Sequence, residues 1–140
     1  MKKLLIVSLV SLASTLSYFA NAASSLSSTA TAAYIPIQNV HADYSKMELT
    51  VGGELPNPCF SQLLAGLYLD DTQPNTLILR VSGMSGADMC VALVQPYSLV
   101  VNVPVAVRES GISINPAETY KIRTEGADFS MQVPGSALVF

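Results

Sequence analysis

Tryptophan is absent from this 140-residue chain, histidine occurs once, cysteine twice, and Asp, Glu, Lys and Arg together make up only 12% of it. Each scarcity removes a class of explanation. Antibody-type domains pack a tryptophan on their inter-sheet disulfide, so the missing Trp argues against that family proper. A zinc centre needs about four ligands, and His41 with Cys59 and Cys90 falls short, so no metal or cofactor is expected. Lys46, Arg80, Arg108, Lys121 and Arg123 form no basic run, which disfavours nucleic acid and anionic membrane surfaces as partners. Helical periodicity is nearly missing too.

What is present begins with an export signal. Lys2 and Lys3 supply a positive start, Leu4 to Leu12 an apolar run, and Ala20-Asn21-Ala22 a small-x-small cleavage site. The competing reading is a membrane anchor, but Ser8, Ser11, Ser14, Thr15 and Ser17 dilute the stretch, whereas a spanning helix needs about 20 predominantly apolar residues. Residues 1–22 are therefore read as a cleaved signal peptide and the protein as periplasmic or extracellular, without stable membrane insertion after cleavage. Losing Lys2 and Lys3 leaves five basic residues against ten acidic ones.

Residues 23–33, ASSLSSTATAA, are small, hydroxyl-rich and uncharged, the composition of a flexible leader. Residues 34–140 suit one domain, and a hydrophobic content of 50% supplies its core. From Tyr34 onward, period-two alternation in short runs broken by Gly, Pro, Asn and Asp predicts strands. Tyr44 to Val51 is one, ended by Gly52-Gly53. Phe60 to Leu69 and Thr76 to Val81 form a hairpin around Asp70 to Asn75. Ser82 to Asp88 is a loop into Cys90 to Val94. Tyr97 to Val107 is a β-branched run whose Pro104 belongs at an edge, a bulge or a switch between sheets. Ile112 to Ile114 is a short piece, and Glu118 to Arg123 with Phe129 to Val133 closes the chain as a hairpin. The expected fold is all-β, an immunoglobulin-like antiparallel β-sandwich of seven or eight short strands with one disulfide; a closed β-barrel is the alternative.

An even cysteine count in an exported chain points to a Cys59–Cys90 disulfide rather than a nucleophilic thiol or a metal-ligand pair. Closing that loop removes about 3.5 kcal/mol of unfolded-state freedom in the chain-entropy model. Pro56 and Pro58 stiffen the approach to Cys59 by forcing Leu55 and Asn57 toward extended backbone. The same stiffness would suit a recognition loop of Glu54, Leu55, Pro56, Asn57 and Pro58, as in rigid-loop protease inhibitors.

Other candidates are weaker. His41 and Asp43 could pair as acid and base, but no motif ties a nucleophile to them. Asp70, Asp71 and Asn75 offer oxygens for Ca²⁺, which needs about six to eight ligands, and a polar turn explains them better. Asp88 reads as a turn residue. The ending Ala137 to Phe140 packs as a final strand or meets a groove that reads chain termini.

The string Gly53-Glu54-Leu55-Pro56-Asn57-Pro58-Cys59, the second cysteine Cys90, Pro96-Tyr97 and Glu118-Thr119-Tyr120-Lys121-Ile122 resemble a group of small exported bacterial β-sandwich domains. These share a G-x-L-P-x-P-C opening, a second cysteine before a Pro-aromatic pair and a late G-x-Y-x-V strand. The resemblance runs from about Met47 to Val133 and implies the sandwich and the cysteine pairing, with no settled biochemical role. Glu118 stands where the pattern has glycine. The expected function is an exported, non-enzymatic structural or interaction domain whose partner is another exported protein. An inhibitor using Glu54 to Pro58 and a hydrolase are the alternatives.

Overall fold

Strand β5, Thr76–Ser85, organises the molecule, because its alternate residues Leu77, Leu79 and Val81 are almost fully buried and its backbone is paired on both edges. In the computed structural model, which describes residues 31–86 and 90–139, β4 (Phe60–Leu69) runs antiparallel along one edge of β5. The other edge is shared: β1 (Thr31–Ile35) pairs antiparallel with residues 81–85, and β7 (Thr119–Thr124) pairs parallel with residues 76–79. β8 (Ser130–Pro134) joins β7 by the expected closing hairpin.

A second sheet packs against this one. It consists of β2 (Asn39–Asp43), β3 (Glu48–Leu55) and β6 (Gln95–Asn102), in the order β2-β3-β6. Leu49, Val51, Leu55, Tyr97 and Val101 face Leu67, Leu79, Ile122 and Val133 across one apolar core. The fold is thus a two-sheet β-sandwich of eight strands among the described residues, not a closed barrel. Cys59 and Cys90 form a disulfide, with Cα atoms 6.1 Å apart, within the usual span for such a bridge. It ties together the two connections, β3–β4 and β5–β6, that pass between the sheets.

Several expected boundaries move, each for a local reason. The strand predicted from Tyr44 starts at Glu48, because Asp43 Oδ1 accepts from Ser45 and Lys46 amides and bends residues 44–47 into a turn. It does not stop at Gly52-Gly53 but continues to Leu55. Those glycines serve close packing: a Cβ on Gly53 would fall 2.8 Å from the Pro36 carbonyl oxygen, and one on Gly52 would fall 2.7 Å from Asn39 Oδ1. β5 reaches Ser85 instead of ending at Val81, because β1 supplies it with a partner. For the same reason Thr31 to Ala33, read as leader, belong to β1. Val91 to Val94 form no strand and are exposed.

The largest correction lies in the run from Tyr97 to Val107, which is half strand and half helix. Helix α1 spans Val103–Ser110. Asn102 Oδ1 caps it by accepting from the Val105 amide at 3.1 Å. Pro104 sits in the first turn, where its missing N–H has no intrahelical use. Gly111, at φ 67°, ends it by donating its backbone N–H to the Arg108 carbonyl. Because α1 carries the chain from one sheet to the other, β7 arrives parallel to β5, against the antiparallel expectation. Ile112 to Ile114 have no regular structure. The C-terminus is not a strand: Gly135–Ala137 is a 3-10 turn, and Leu138 packs into the core. Residues 1–22, read from sequence as a signal peptide, residues 23–30 of the expected leader, Asp88 and Phe140 lie outside the described residues.

Candidate functional site

Arg80 is the only charged residue in β5, and alternation places it on the outer face of its sheet. Opposite it on β4 is Gly66, and beyond Gly66 the outward residue is Tyr68. With no side chain on Gly66, the Tyr68 ring folds over it, so closely that a Cβ there would fall 3.2 Å from the Tyr68 hydroxyl. This brings the Tyr68 ring centroid to 5.3 Å from the Arg80 guanidinium. From the other side, Tyr34 on β1, in register with Ser82, puts its ring centroid 5.4 Å away. Both distances fall within cation–π range.

Glu125 completes the cluster. Its amide donates to the Leu79 carbonyl at 3.0 Å, where β1 has left the edge of β5, and its carboxylate Oε2 accepts from Arg80 Nε. Gly126 makes that position possible, since a Cβ there would fall 2.7 Å from the Ile37 carbonyl oxygen, and its φ of 108° suits glycine alone. The bond to Glu125 is the main reason the Arg80 guanidinium holds its proton more tightly than usual. Arg80 is thus fixed between two rings and one carboxylate, while Tyr34 stays 65% exposed and Tyr68 43%. Grooves flank the Tyr34 ring: one of about 180 Å³ reaches Pro36, Arg80, Glu125 and Gly126, the other of about 230 Å³ lies between Tyr34 and Tyr68 over Ser82.

The residues singled out from sequence are not gathered here. Glu54 and Leu55 belong to β3, paired with Pro96 and Gln95, and Leu55 is buried in the core. Only Pro56, Asn57 and Pro58 form a connection, and Asn57 Oδ1 accepts from the Cys59 amide at 3.1 Å, so this turn presents Cys59 to Cys90. His41 sits exposed on β2, opposite Thr50. Asp43 Oδ1 is committed to Ser45 and Lys46; the Ser45 hydroxyl chiefly lowers its pKa.

Asp70 is equally committed, and its side chain is only 5% exposed. Oδ1 accepts from the Thr72 hydroxyl and amide, and Oδ2 from Arg123 Nη2 at 2.8 Å. These bonds, the Thr72 hydroxyl foremost, hold its pKa at about 2. An arginine on the free oxygen leaves no place for Ca²⁺, and the group acts as the polar turn that joins β4, β5 and β7. Among the described residues, no three of His, Cys, Asp and Glu are placed to hold a metal ion, and no helix is long and apolar enough to cross a membrane.

Sequence reading missed the Tyr34–Arg80–Tyr68–Glu125 cluster because its members come from three strands and a turn. One signal was available: a single arginine inside the apolar run Leu77 to Val81. No family model, no curated protein and no solved structure matches the chain.

Proposed function

We propose that the protein is an exported, non-enzymatic interaction domain whose recognition surface is the tyrosine–arginine clasp on the outer face of the five-stranded sheet. Export is supported by the Lys2-Lys3 start, the apolar run to Leu12 and the Ala20-Asn21-Ala22 site, and the Cys59–Cys90 disulfide fits an oxidising compartment. The likeness of the Gly53 to Cys59 string to exported β-sandwich domains supports the same reading.

The single observation that carries it is the combination of order and exposure at Arg80. Flanking rings and Glu125 fix the guanidinium, yet two tyrosines remain open to solvent beside grooves. Rigid, exposed tyrosines lose little conformational freedom on binding and offer both apolar area and a hydroxyl. The carboxylates Asp43 and Asp70, by contrast, are spent on turns.

Site-specific photo-crosslinking in the native compartment tests this. A benzophenone side chain at Tyr34 or Tyr68 is expected to give a discrete adduct, and one at Pro56 is not. An adduct only at Pro56 that contains a protease would replace this reading with the inhibitor one. Intact mass of the exported form, expected to begin at Ala23, tests the signal peptide.

A further inference from the structure

We infer that the two grooves beside Tyr34 bind a neutral glycan, one sugar ring in each. The inference rests on the clasp being the recognition surface and names the chemistry of its ligand. Size is the first argument. At about 180 and 230 Å³, each groove is below the roughly 300–1,000 Å³ of sites that enclose drug-sized molecules. Each therefore suits a single ring. Their common wall, Tyr34, suits a ligand that repeats itself from one groove to the next.

The second argument is the pairing of aromatic and polar groups. The exposed tyrosine surface takes the C–H face of a sugar ring, and the hydroxyls of that ring need donors and acceptors side by side. Arg80 uses Nε on Glu125 Oε2. Among the described residues, its terminal nitrogens and Glu125 Oε1 make no other hydrogen bond. A guanidinium edge thus donates next to an oxygen that accepts, and Ser82 adds a hydroxyl in the second groove. Adjacent sugar hydroxyls each donate and accept, so they match both sides of this pair. A proline-rich peptide brings carbonyl acceptors without the N–H of proline and leaves Glu125 Oε1 unmatched.

Charge supplies the third argument. Glu125 already neutralises Arg80, and the chain carries a net charge of −3. An anionic ligand on the terminal nitrogens of Arg80 would set its charge beside the Glu125 carboxylate and approach against that field. A neutral one does neither.

The test is a nuclear magnetic resonance titration of the purified protein with maltotriose, cellotriose and triacetylchitotriose at millimolar concentrations, beside a proline-rich decapeptide. At least one sugar is expected to give saturable shifts at Tyr34, Tyr68, Ser82 and the Arg80 Nε–H. Tyr34→Ala should weaken that binding at least about tenfold, and Tyr34→Phe, which keeps the ring, should bind close to the parent. Failure of all three sugars, or unchanged binding by Tyr34→Ala, would overturn the inference. Peptide shifts at these residues without sugar shifts would overturn the glycan and keep the clasp as the recognition surface. Saturable sugar shifts confined to another face would overturn both.

Discussion

Replacing both Cys59 and Cys90 by alanine should cost about 3.5 kcal/mol of stability, almost all of it through the unfolded chain. The bridge spans 31 positions, and the chain-entropy relation for a loop of that length gives this figure. Both cysteines are only half-buried, so the alanines remove little packing of their own. For a domain of this size the loss corresponds to a fall in melting temperature of roughly 15 °C. The mechanism has a second signature. An unfolded chain freed of its crosslink expands and exposes more surface, so the urea m-value should rise. A third is local. The bridge sits where β4 begins, at Phe60 and Ser61 opposite Ser85 and Met84, next to the register shift before Leu64. Hydrogen exchange should therefore quicken at that end of the β4–β5 pair while the Leu67–Leu79 end keeps its protection. Urea unfolding followed by circular dichroism, with exchange on the same samples, reads all three. A loss below about 1 kcal/mol with an unchanged m-value would refute the reasoning.

Leu79 is fully buried at the centre of the sandwich, so Leu79→Ala should destabilise by about 2–5 kcal/mol in urea unfolding, with m unchanged. Asn102→Ala removes the α1 cap and should cost about 1 kcal/mol, while Asn102→Asp, which keeps the acceptor, should stay close to the parent. Asp70 has a folded pKa of about 2 against an ordinary 3.8. Its folded value is depressed, so its stabilisation is complete above the unfolded value and is lost as pH falls from near 4 to about 2; Asp70→Asn should flatten that part of the acid-unfolding curve. Gly126→Ala should destabilise the fold through its contact with Ile37 and its strained φ, and should shift the Glu125 and Arg80 resonances together.

Where the chain signals locally, the fold was legible. Phe60–Leu69 was bounded correctly because Cys59 and Asp70 flank an apolar run, and the Asp70 to Asn75 turn follows from its residue types. The disulfide followed from an even cysteine count. Helix α1 was missed because Val103, Val105 and Val107 alternate as in a strand; the cap at Asn102, proline in the first turn and Gly111 outweigh the β-propensity of valine. Gly52-Gly53 imitated a turn because glycine also serves where backbones nearly touch. The clasp depends on which strands become neighbours: β1 and β7 dividing the edge of β5 is what brings Tyr34 and Glu125 to Arg80. Nothing within a short window of sequence encodes that.

The proposed function stands on a guanidinium held rigidly between two aromatic rings, and the side-chain resonances of Arg80 report on this directly. Ring currents from Tyr34 and Tyr68 should move its Hδ protons upfield, the bond to Glu125 should slow exchange of Nε–H, and Tyr34→Leu and Tyr68→Leu should each remove part of the shift. Arg80 resonances at free-arginine positions, unaffected by either substitution, would contradict the preformed clasp.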